Sequence, residues 1–347
     1  MTIYHAKRQV VSDLIARPGE GLTFLAASAD SQHSQPVFAS ACGQPTLDSL
    51  TQPRPPQSAR ACFQPPSESL GHYGGSDVVP DAQPPPTVLV GLRACDLRAL
   101  EVLDKVLLGE PFQDQGYRSR REAATIISCD CVDCSDSCFC TSLGGAPFAQ
   151  AGFDLNLTPL DGGFLIEVAG DKGRRWLGDA SLEEASPQLI QQRDRQREQM
   201  TRRLEEANAP FGVRLSGDKP PRLPEGEDPA WQRLAVACVE CGACTNICPS
   251  CHCFYLYDQL LGEGGPFERV RTWDSCLLGT YHRMAGTPAL KPTPRPRLGS
   301  RLANRLLHKF VYSPQQVGLL GCVGCGRCTE ACLGGLDVRQ ALRELSS

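Results

Sequence analysis

Two short stretches of this chain decide its architecture: CVECGACTNICP, from Cys238 to Pro249, and CVGCGRCTEAC, from Cys322 to Cys332. Each contains four cysteines in the spacing C-x2-C-x2-C-x3-C. A proline follows the first run, whereas Leu333 holds the corresponding place after the second. Because the complete pattern occurs twice, the sequence predicts two equivalent sites in one part of the chain.

This spacing is typical of the thiolates that hold [4Fe–4S] clusters in bacterial ferredoxins. Three thiolates on one tight loop reach three corners of a cubane, and the fourth lies a helical turn further on and reaches the other cubane. Glycines in the loops allow the backbone to approach the sulfur atoms closely. Structural zinc sites use separated cysteine pairs, so zinc fits the runs poorly. The predicted ligands of cluster A are Cys238, Cys241, Cys244 and Cys332. The predicted ligands of cluster B are Cys322, Cys325, Cys328 and Cys248.

The whole chain has 347 residues and 19 cysteines, which fits either a disulfide-rich secreted protein or an intracellular metal protein. Its N-terminal residues show neither the apolar segment nor the cleavage site of a secretory signal. No stretch has the roughly 18 apolar residues of a membrane span. We therefore expect a cytoplasmic location and thiols that bind metal. With 35 basic and 39 acidic residues mixed along the chain, a nucleic-acid partner is not expected.

Length and residue patterns predict two domains. Residues 1 to about 90 are rich in Pro, Gly, Ser and Gln and are expected to form mostly ordered loops. A strand at Val88–Leu92, a helix from Asp96 and strands in AATIISC and Gly163–Val168 predict an α+β domain over residues 1–220. The Pro-rich stretch 216–229 predicts a boundary. Residues 230–347 are predicted to be helical, and the long insert between the runs resembles that of α-helical ferredoxin domains.

Six further cysteines surround two predicted strand ends in the N-terminal domain: Cys95, Cys129, Cys131, Cys134, Cys138 and Cys140. Their number exceeds what packing needs, so a third [4Fe–4S] cluster is predicted there, with a zinc site or unligated thiols as the alternatives. Cys251, Cys253 and Cys276 are either buried thiols that line the cluster domain or a further redox site or spare ligand. Cys42 and Cys62 are expected to be structural.

Several motifs together resemble the β subunits of soluble NiFe hydrogenases (sulfhydrogenases) and the related A subunits of anaerobic sulfite reductases. The matching stretches lie between about residues 50 and 338 and include PPSESLGHY, VGLRACDLRALEVLDKVLL, CFCTSLGGAP, CVECGACTNICPSCHCF, RTWDSC, HKFVY and CVGCGRCTEAC. The resemblance implies Cys95, Cys131, Cys138 and Cys140 as ligands of the third cluster. The choice among Cys129, Cys131 and Cys134 stays open.

The resemblance also implies a role and partners. Such a subunit relays electrons between a flavin subunit that handles NAD(P)H and a catalytic subunit, which is a NiFe hydrogenase small subunit or a sulfite reductase. The sequence contains neither a pair of motifs for a NiFe centre nor a strand-linked dinucleotide motif, so a non-catalytic electron-transfer subunit is expected. The alternatives are direct reduction of a sulfur species near Cys251, Cys253 and Cys276, and a redox-sensing module.

Overall fold

The computed structural model describes residues 2–16, 22–24, 47–74, 78–79, 84–286 and 293–346. The strands in these residues are β1 (Thr2–Lys7), β2 (Leu22–Phe24), β3 (Ser67–Tyr73), β4 (Val78–Val79), β5 (Thr87–Leu92), β6 (Ala124–Cys129), β7 (Leu155–Leu160), β8 (Gly163–Val168), β9 (Glu183–Glu184), β10 (Phe254–Leu260) and β11 (Phe267–Trp273).

The α-helices are α1 (Arg8–Ile15), α2 (Leu47–Thr51), α3 (Arg60–Phe63), α4 (Ala94–Leu107), α5 (Gln115–Ala123), α6 (Asp171–Leu177), α7 (Pro187–Asn208), α8 (Pro229–Ala235), α9 (Ala243–Asn246), α10 (Leu298–Leu307), α11 (Ser313–Val317), α12 (Arg327–Glu330) and α13 (Val338–Leu345). Short 3₁₀ turns occupy Cys140–Leu143 and Ala209–Phe211, and a π-helical turn at His308–Tyr312 joins α10 to α11. In the described part of the chain, no helix combines the length and the apolar character needed to cross a bilayer.

The N-terminal part is built on a seven-stranded mixed sheet in the order β2-β5-β6-β7-β8-β1-β9. Strands β2, β5, β6 and β7 run parallel, and the remaining pairs are antiparallel. Because side chains alternate along a strand, Leu89 packs toward α4 while its neighbour Val90 packs toward α1 on the opposite face. The prediction of an α+β arrangement is confirmed for this region.

Local residue patterns explain where the predicted elements begin. Strand β8 has the predicted bounds, and β5 begins one residue earlier than predicted. Helix α4 starts two residues before Asp96, which lies in its first turn and accepts a hydrogen bond from the Arg93 N–H at 3.1 Å. Helix α7 begins at Pro187 because the Ser186 hydroxyl accepts from the Leu189 N–H, at 3.4 Å, and proline suits the first helical position.

Two expectations about regular structure need correction. The N-terminal segment, expected to be mostly loop, forms β1, α1 and β3 among its described residues. The insert between the cysteine runs, expected to be helical, contains the β10–β11 hairpin. β11 pairs with β3, so a four-stranded antiparallel sheet, β10-β11-β3-β4, joins residues near position 70 to residues near position 270. Period-two alternation in this insert is weak because most β10 side chains are exposed.

A helical core supports the C-terminal cysteine runs. Trp231 of α8, Phe310 and residues of α10 and α13 form one apolar cluster. The same cluster includes Phe139 and Leu143, which lie beside the N-terminal cysteine group. Residues on the two sides of the predicted boundary at 216–229 therefore share a hydrophobic core, and this core holds the cysteine loops against one another.

Candidate metal centres

The first cysteine run and the end of the second run meet around one cavity. Cys238 and Cys241 come from the loop that leads into α9, Cys244 lies in α9, and Cys332 comes from the turn after α12. All four line this cavity, together with Cys328. Burial raises the pKa of Cys244, and the nearby Cys238 and Cys332 thiols add to that shift. The Leu336 N–H points at the Cys332 sulfur at 3.3 Å. The structure thus brings together the four thiols assigned to cluster A.

The second run is more deeply buried. Burial raises the pKa of Cys322 to about 12 and that of Cys328 to about 11, and the Cys248 thiol contributes to both shifts. Cys325 is 8% exposed, and Cys248 also lies close enough to raise its pKa. The last cysteine of the first run therefore stands beside all three leading cysteines of the second, which is the crossed arrangement predicted for cluster B.

The surroundings of the second run carry buried positive charge. Arg305 and Lys309 are both at least nine-tenths buried. Arg305 donates to the Cys244 carbonyl at 3.3 Å, and its Nε has no hydrogen-bond partner. Lys309 donates to Ser250 Oγ at 3.1 Å and to the Gly321 carbonyl at 2.9 Å. No carboxylate in the described residues forms an ion pair with either. Buried cations need anionic neighbours, so the thiols and these cations fit a negatively charged group such as a thiolate-bound cluster.

The N-terminal cysteine group forms a third cavity. Cys95 lies in the first turn of α4, three residues after β5. Cys129 is the last residue of β6, and the other four cysteines lie on the segment that follows β6. Since β5 and β6 are parallel neighbours, their carboxyl ends meet at the same edge of the sheet. Five cysteines of this group line the cavity: Cys95, Cys131, Cys134, Cys138 and Cys140.

The sequence left open which of Cys129, Cys131 and Cys134 is a ligand of the third cluster, and the structure distinguishes Cys129 from the other two. Cys129 is fully buried, its thiol faces the Leu50 carbonyl at 3.5 Å, and it does not line the cavity. Cys131 and Cys134 both do. Among the described residues, no three His, Cys, Asp or Glu side chains are grouped as a single metal ion would require.

The third cavity is closed by the second cysteine run. Gly324 and Cys325 form part of its wall, and the Cys138 thiol points at the Cys325 carbonyl at 3.8 Å. The Phe139 N–H donates to the Gly324 carbonyl at 2.8 Å. Gly324 has φ +68°, and a Cβ there would lie 2.6 Å from the Cα of Cys140. A glycine is therefore required for this close approach of the two loops.

Comparison with known proteins shows the family of this chain. A family model for a 4Fe-4S dicluster domain matches residues 237–336. The sulfhydrogenase 2 subunit beta of Pyrococcus furiosus is 30% identical over 260 residues, which cover 74% of this chain and 73% of that protein. The chain belongs to the sulfhydrogenase beta-subunit family. No solved structure matches it significantly.

In this chain, the C-terminal part thus contains a 4Fe-4S dicluster domain.

The motifs GLRACDL and CVGCGRC each contain a buried arginine whose role could not be read from the sequence. Arg93 is 1% exposed and donates to four carbonyls, including that of Asp130 at 3.0 Å. Arg327 is 1% exposed and pairs with Asp96 at 2.9 Å, which ties the second run to α4.

Arg54, in the Pro-rich segment, is another residue whose role was not predicted from the sequence. Arg54 is 5% exposed, donates through Nε to the Cys325 carbonyl and pairs with Glu330 at 2.8 Å. A lone arginine among prolines gives no periodic signal, so only tertiary structure identifies it.

The structure also shows where most of the remaining cysteines lie. Cys251, Cys253 and Cys276 line a fourth cavity beside the second run, and Cys62 packs under α4. Cys42 lies outside the described residues.

Proposed function

We propose that this chain is an iron–sulfur electron-relay subunit of a sulfhydrogenase-type complex, with [4Fe–4S] clusters at three sites. The predicted ligand sets are those given above for clusters A and B, with a third set drawn from Cys95, Cys131, Cys138 and Cys140. A bound [4Fe–4S] cluster supplies a one-electron redox step. What supports the proposal is that the three groups of thiols adjoin one another through the second run.

Two residues of the second run connect it to the other two groups of thiols. Cys325 lies in the wall of the N-terminal cavity, and Cys328 lies in the wall of the cavity formed by the first run. The second run therefore stands between the other two groups, with backbone and thiol contacts to the N-terminal group. An electron path through the chain would run from the N-terminal site to site B and then to site A, or in the reverse direction.

One end of this path reaches the surface. Cys241 is exposed, and so are three apolar side chains that lie within two residues of a predicted ligand of site A in the sequence: Val236 at 86%, Val239 at 59% and Leu333 at 79%. Exposed apolar groups that cluster around a functional site are typical of protein interfaces. We propose that one partner docks here. The partners expected from the family are a flavin subunit that uses NAD(P)H and a catalytic subunit of the hydrogenase or sulfite reductase type.

The proposed division into units follows from the same contacts. Residues 1–220 would hold the N-terminal site, and residues 230–347 would hold sites A and B in a dicluster unit of ferredoxin type, supported by α8, α10 and α13. A second candidate function, reduction of a sulfur species by this chain itself, is favoured by one observation, the separate cavity that Cys251, Cys253 and Cys276 line.

The relay proposal is tested on the anaerobically purified full-length protein. Three sites predict about twelve irons per chain and a reduced EPR spectrum that requires three interacting paramagnets. Cys95→Ser should remove about four irons and leave the signals of sites A and B. Cys131→Ser and Cys134→Ser, made separately, decide which cysteine is the ligand, and Cys129→Ser is the matched control with unchanged iron. About eight irons in the wild type, with no loss in Cys95→Ser, would reduce the relay to two sites.

A further inference from the structure

The four-stranded sheet β10-β11-β3-β4 has one long edge, strand β10. It spans seven residues, Phe254–Leu260, and within the described part of the chain it pairs with β11 alone. The other sheet edges there are short: β2 has three residues, and β4 and β9 have two each. Proteins protect edges with short strands, lysine, proline or bulges. Strand β10 contains neither lysine nor proline, and its pairing with β11 has no register shift. It therefore lacks the usual protection against pairing with another strand.

The hydrogen bonds at both ends of the hairpin show which groups of β10 face away from the sheet. The Asp274 N–H donates to the Cys253 carbonyl at 3.0 Å, and the Leu261 N–H donates to the Pro266 carbonyl at 2.9 Å. Because such bonds involve every second residue of an antiparallel pair, Cys253 and alternate residues up to Leu261 bond to β11. The backbone N–H and C=O groups of the residues between them point outward, and these residues are Phe254, Leu256, Asp258 and Leu260.

The side chains of this edge are mostly apolar and exposed. Four of them stand out: Phe254 at 39%, Leu256 at 42%, Leu260 at 50% and Tyr255 at 57%. The rings of Tyr255 and Tyr257 stack on one face of the strand, with centroids 5.9 Å apart. Asp258 is the one charged residue of the strand, and its carboxylate accepts from Arg269 of β11 at 2.7 and 2.8 Å. The edge is therefore neutral as well as apolar.

We propose that β10 pairs with β10 of a second copy of this chain, so that the two four-stranded sheets form one continuous sheet across a two-fold axis. An antiparallel pairing centred on Tyr257 is the symmetric register that uses all seven residues of both strands. It places outward-facing backbone groups opposite one another, because Phe254 lies opposite Leu260 of the second copy and Leu256 lies opposite Asp258. The proposal does not depend on the relay function.

The chemistry of the edge favours an identical strand as the occupant. With the axis at Tyr257, the Tyr257 rings of the two copies lie opposite one another, and the row of stacked rings that begins at Tyr255 continues into the second copy. Each Asp258 lies opposite a leucine and keeps its Arg269 partner, so like charges are not directly opposed. An axis at Asp258 would oppose two carboxylates, which is unfavourable. The strand is thus complementary to its own reverse.

The exposed area sets the expected strength of the dimer. The exposed parts of the four side chains named above amount to on the order of 400 Å² per copy, since a large side chain has about 150–250 Å² in all. Stable protein interfaces bury about 800 Å² per partner. The strand pairing therefore corresponds to a weak, reversible dimer with a dissociation constant of roughly 1–100 μM.

Sedimentation velocity of the anaerobic full-length protein, from about 1 to about 200 μM, tests the pairing. The wild type should change from monomer to dimer over this range. Leu256→Glu opposes two like charges at each Asp258 and should raise the dissociation constant at least about tenfold, whereas Leu256→Lys opposes unlike charges and should raise it much less. Leu70→Glu is the matched control and should leave the dimer intact, because Leu70 is an exposed residue of β3, which has a neighbour on each side. Iron content checks that every variant is folded.

A cross-link tests the register. Under mild diamide oxidation at high protein concentration, the new thiols of Tyr257→Cys should join two copies, because this position lies opposite itself across the axis. Tyr255→Cys, with Gln259 of the second copy opposite, should not cross-link to itself. Peptide mass spectrometry identifies the bond.

Three results would overturn the proposal. The first is a monomer at about 200 μM with normal iron content. The second is a dimer that survives Leu256→Glu unchanged, which would place the contact on another surface. The third is slow hydrogen exchange at the Leu256 and Asp258 amides that does not change with protein concentration, which would show that another segment of this chain covers the edge. Slow exchange that appears only when a co-purified subunit is added would assign the edge to that subunit and would likewise exclude the second copy.

Discussion

The two cysteine runs have the same spacing but different surroundings. Cys241 of the first run is exposed, and the equivalent Cys325 of the second is 8% exposed beneath the N-terminal cysteine group. Between the first two cysteines of each run, Glu240 and Gly324 occupy equivalent positions, and both have positive φ, +54° and +68°. The Glu240 side chain is partly exposed and is held by an ion pair with buried Arg301 at 2.7 Å. The cysteine spacing therefore determines the backbone conformation of the ligand loop, whereas the packing around the loop determines which other parts of the protein the site contacts.

The largest difference between the runs is expected when a cysteine of each is replaced. Cys241→Ser should lose about four irons, because only one site uses this exposed loop. Cys325→Ser should lose clearly more, up to about eight, because the same loop closes the N-terminal cavity. Iron analysis and low-temperature EPR measure the loss. Both variants should fail in physiological turnover while the catalytic partner still works with an artificial donor. Equal iron loss in both variants would show that the second run does not support the N-terminal site.

The next difference concerns glycines at another equivalent position. Gly242 and Gly326 have φ of +71° and +73°, so alanine costs each about 1–2 kcal/mol in backbone strain. A Cβ at Gly326 would also lie 2.2 Å from the Ser137 carbonyl oxygen, whereas at Gly242 the nearest atom is 3.4 Å away. We expect Gly326→Ala to lower the unfolding free energy by about 1–3 kcal/mol more than Gly242→Ala.

Thermal unfolding of the anaerobic variants measures this difference, and iron content shows where it acts. Gly326→Ala should also lose iron from the N-terminal site. Gly335→Ala is a second control, since Gly335 has φ +68° with nothing within 4 Å of the added Cβ. If the two alanine variants at Gly242 and Gly326 unfold at the same temperature, the close packing of the loops contributes nothing measurable.

A smaller effect is expected from a substitution in the exposed surface near the first run. Leu333→Glu places a charge in the proposed docking surface and should slow electron transfer to the partner about tenfold, without changing the iron content. Stopped-flow reduction with the co-purified partner subunit is the measurement. Phe112→Glu is the matched control, because Phe112 is 87% exposed and lies on the turn between α4 and α5. Similar slowing in both variants would point to a general effect of charge.

The smallest expected effect concerns the buried cations, which surround the second run. Removing the ammonium in Lys309→Met should lower the midpoint potential of site B by several tens of millivolts, because a nearby positive charge favours the reduced, more negative form. Redox titration monitored by EPR measures this shift. Lys309→Arg keeps the charge and should shift the potential less, and Lys105→Met, on the exposed side of α4, should not shift it. A fall in the potential of site A alone would place the lysine's influence elsewhere.

The sequence allowed prediction of the ligand runs because their chemistry depends on local spacing, and the structure brings together the four thiols predicted for each of sites A and B. It also predicted three strands of the mixed sheet, β5, β6 and β8, because their apolar stretches are buried, but it did not predict β1, β2, β7 or β9. The β10–β11 hairpin was missed because its exposed side chains break the alternation. Arg54 and Arg327 were missed because they act through contacts with residues far away in sequence. The cavity at Cys253 and Cys276 depends on the hairpin register, which spacing does not reveal.

The N-terminal cavity has a consequence for biosynthesis. The proposed ligands lie between positions 95 and 140, but part of the wall comes from Gly324 and Cys325, more than 180 residues further along the chain. A nascent chain cannot complete this wall until residue 325 has left the ribosome. We therefore expect iron–sulfur assembly factors to fill the proposed site only after that point, and a chain that stops before residue 324 to leave the thiols of this loop open to oxidation.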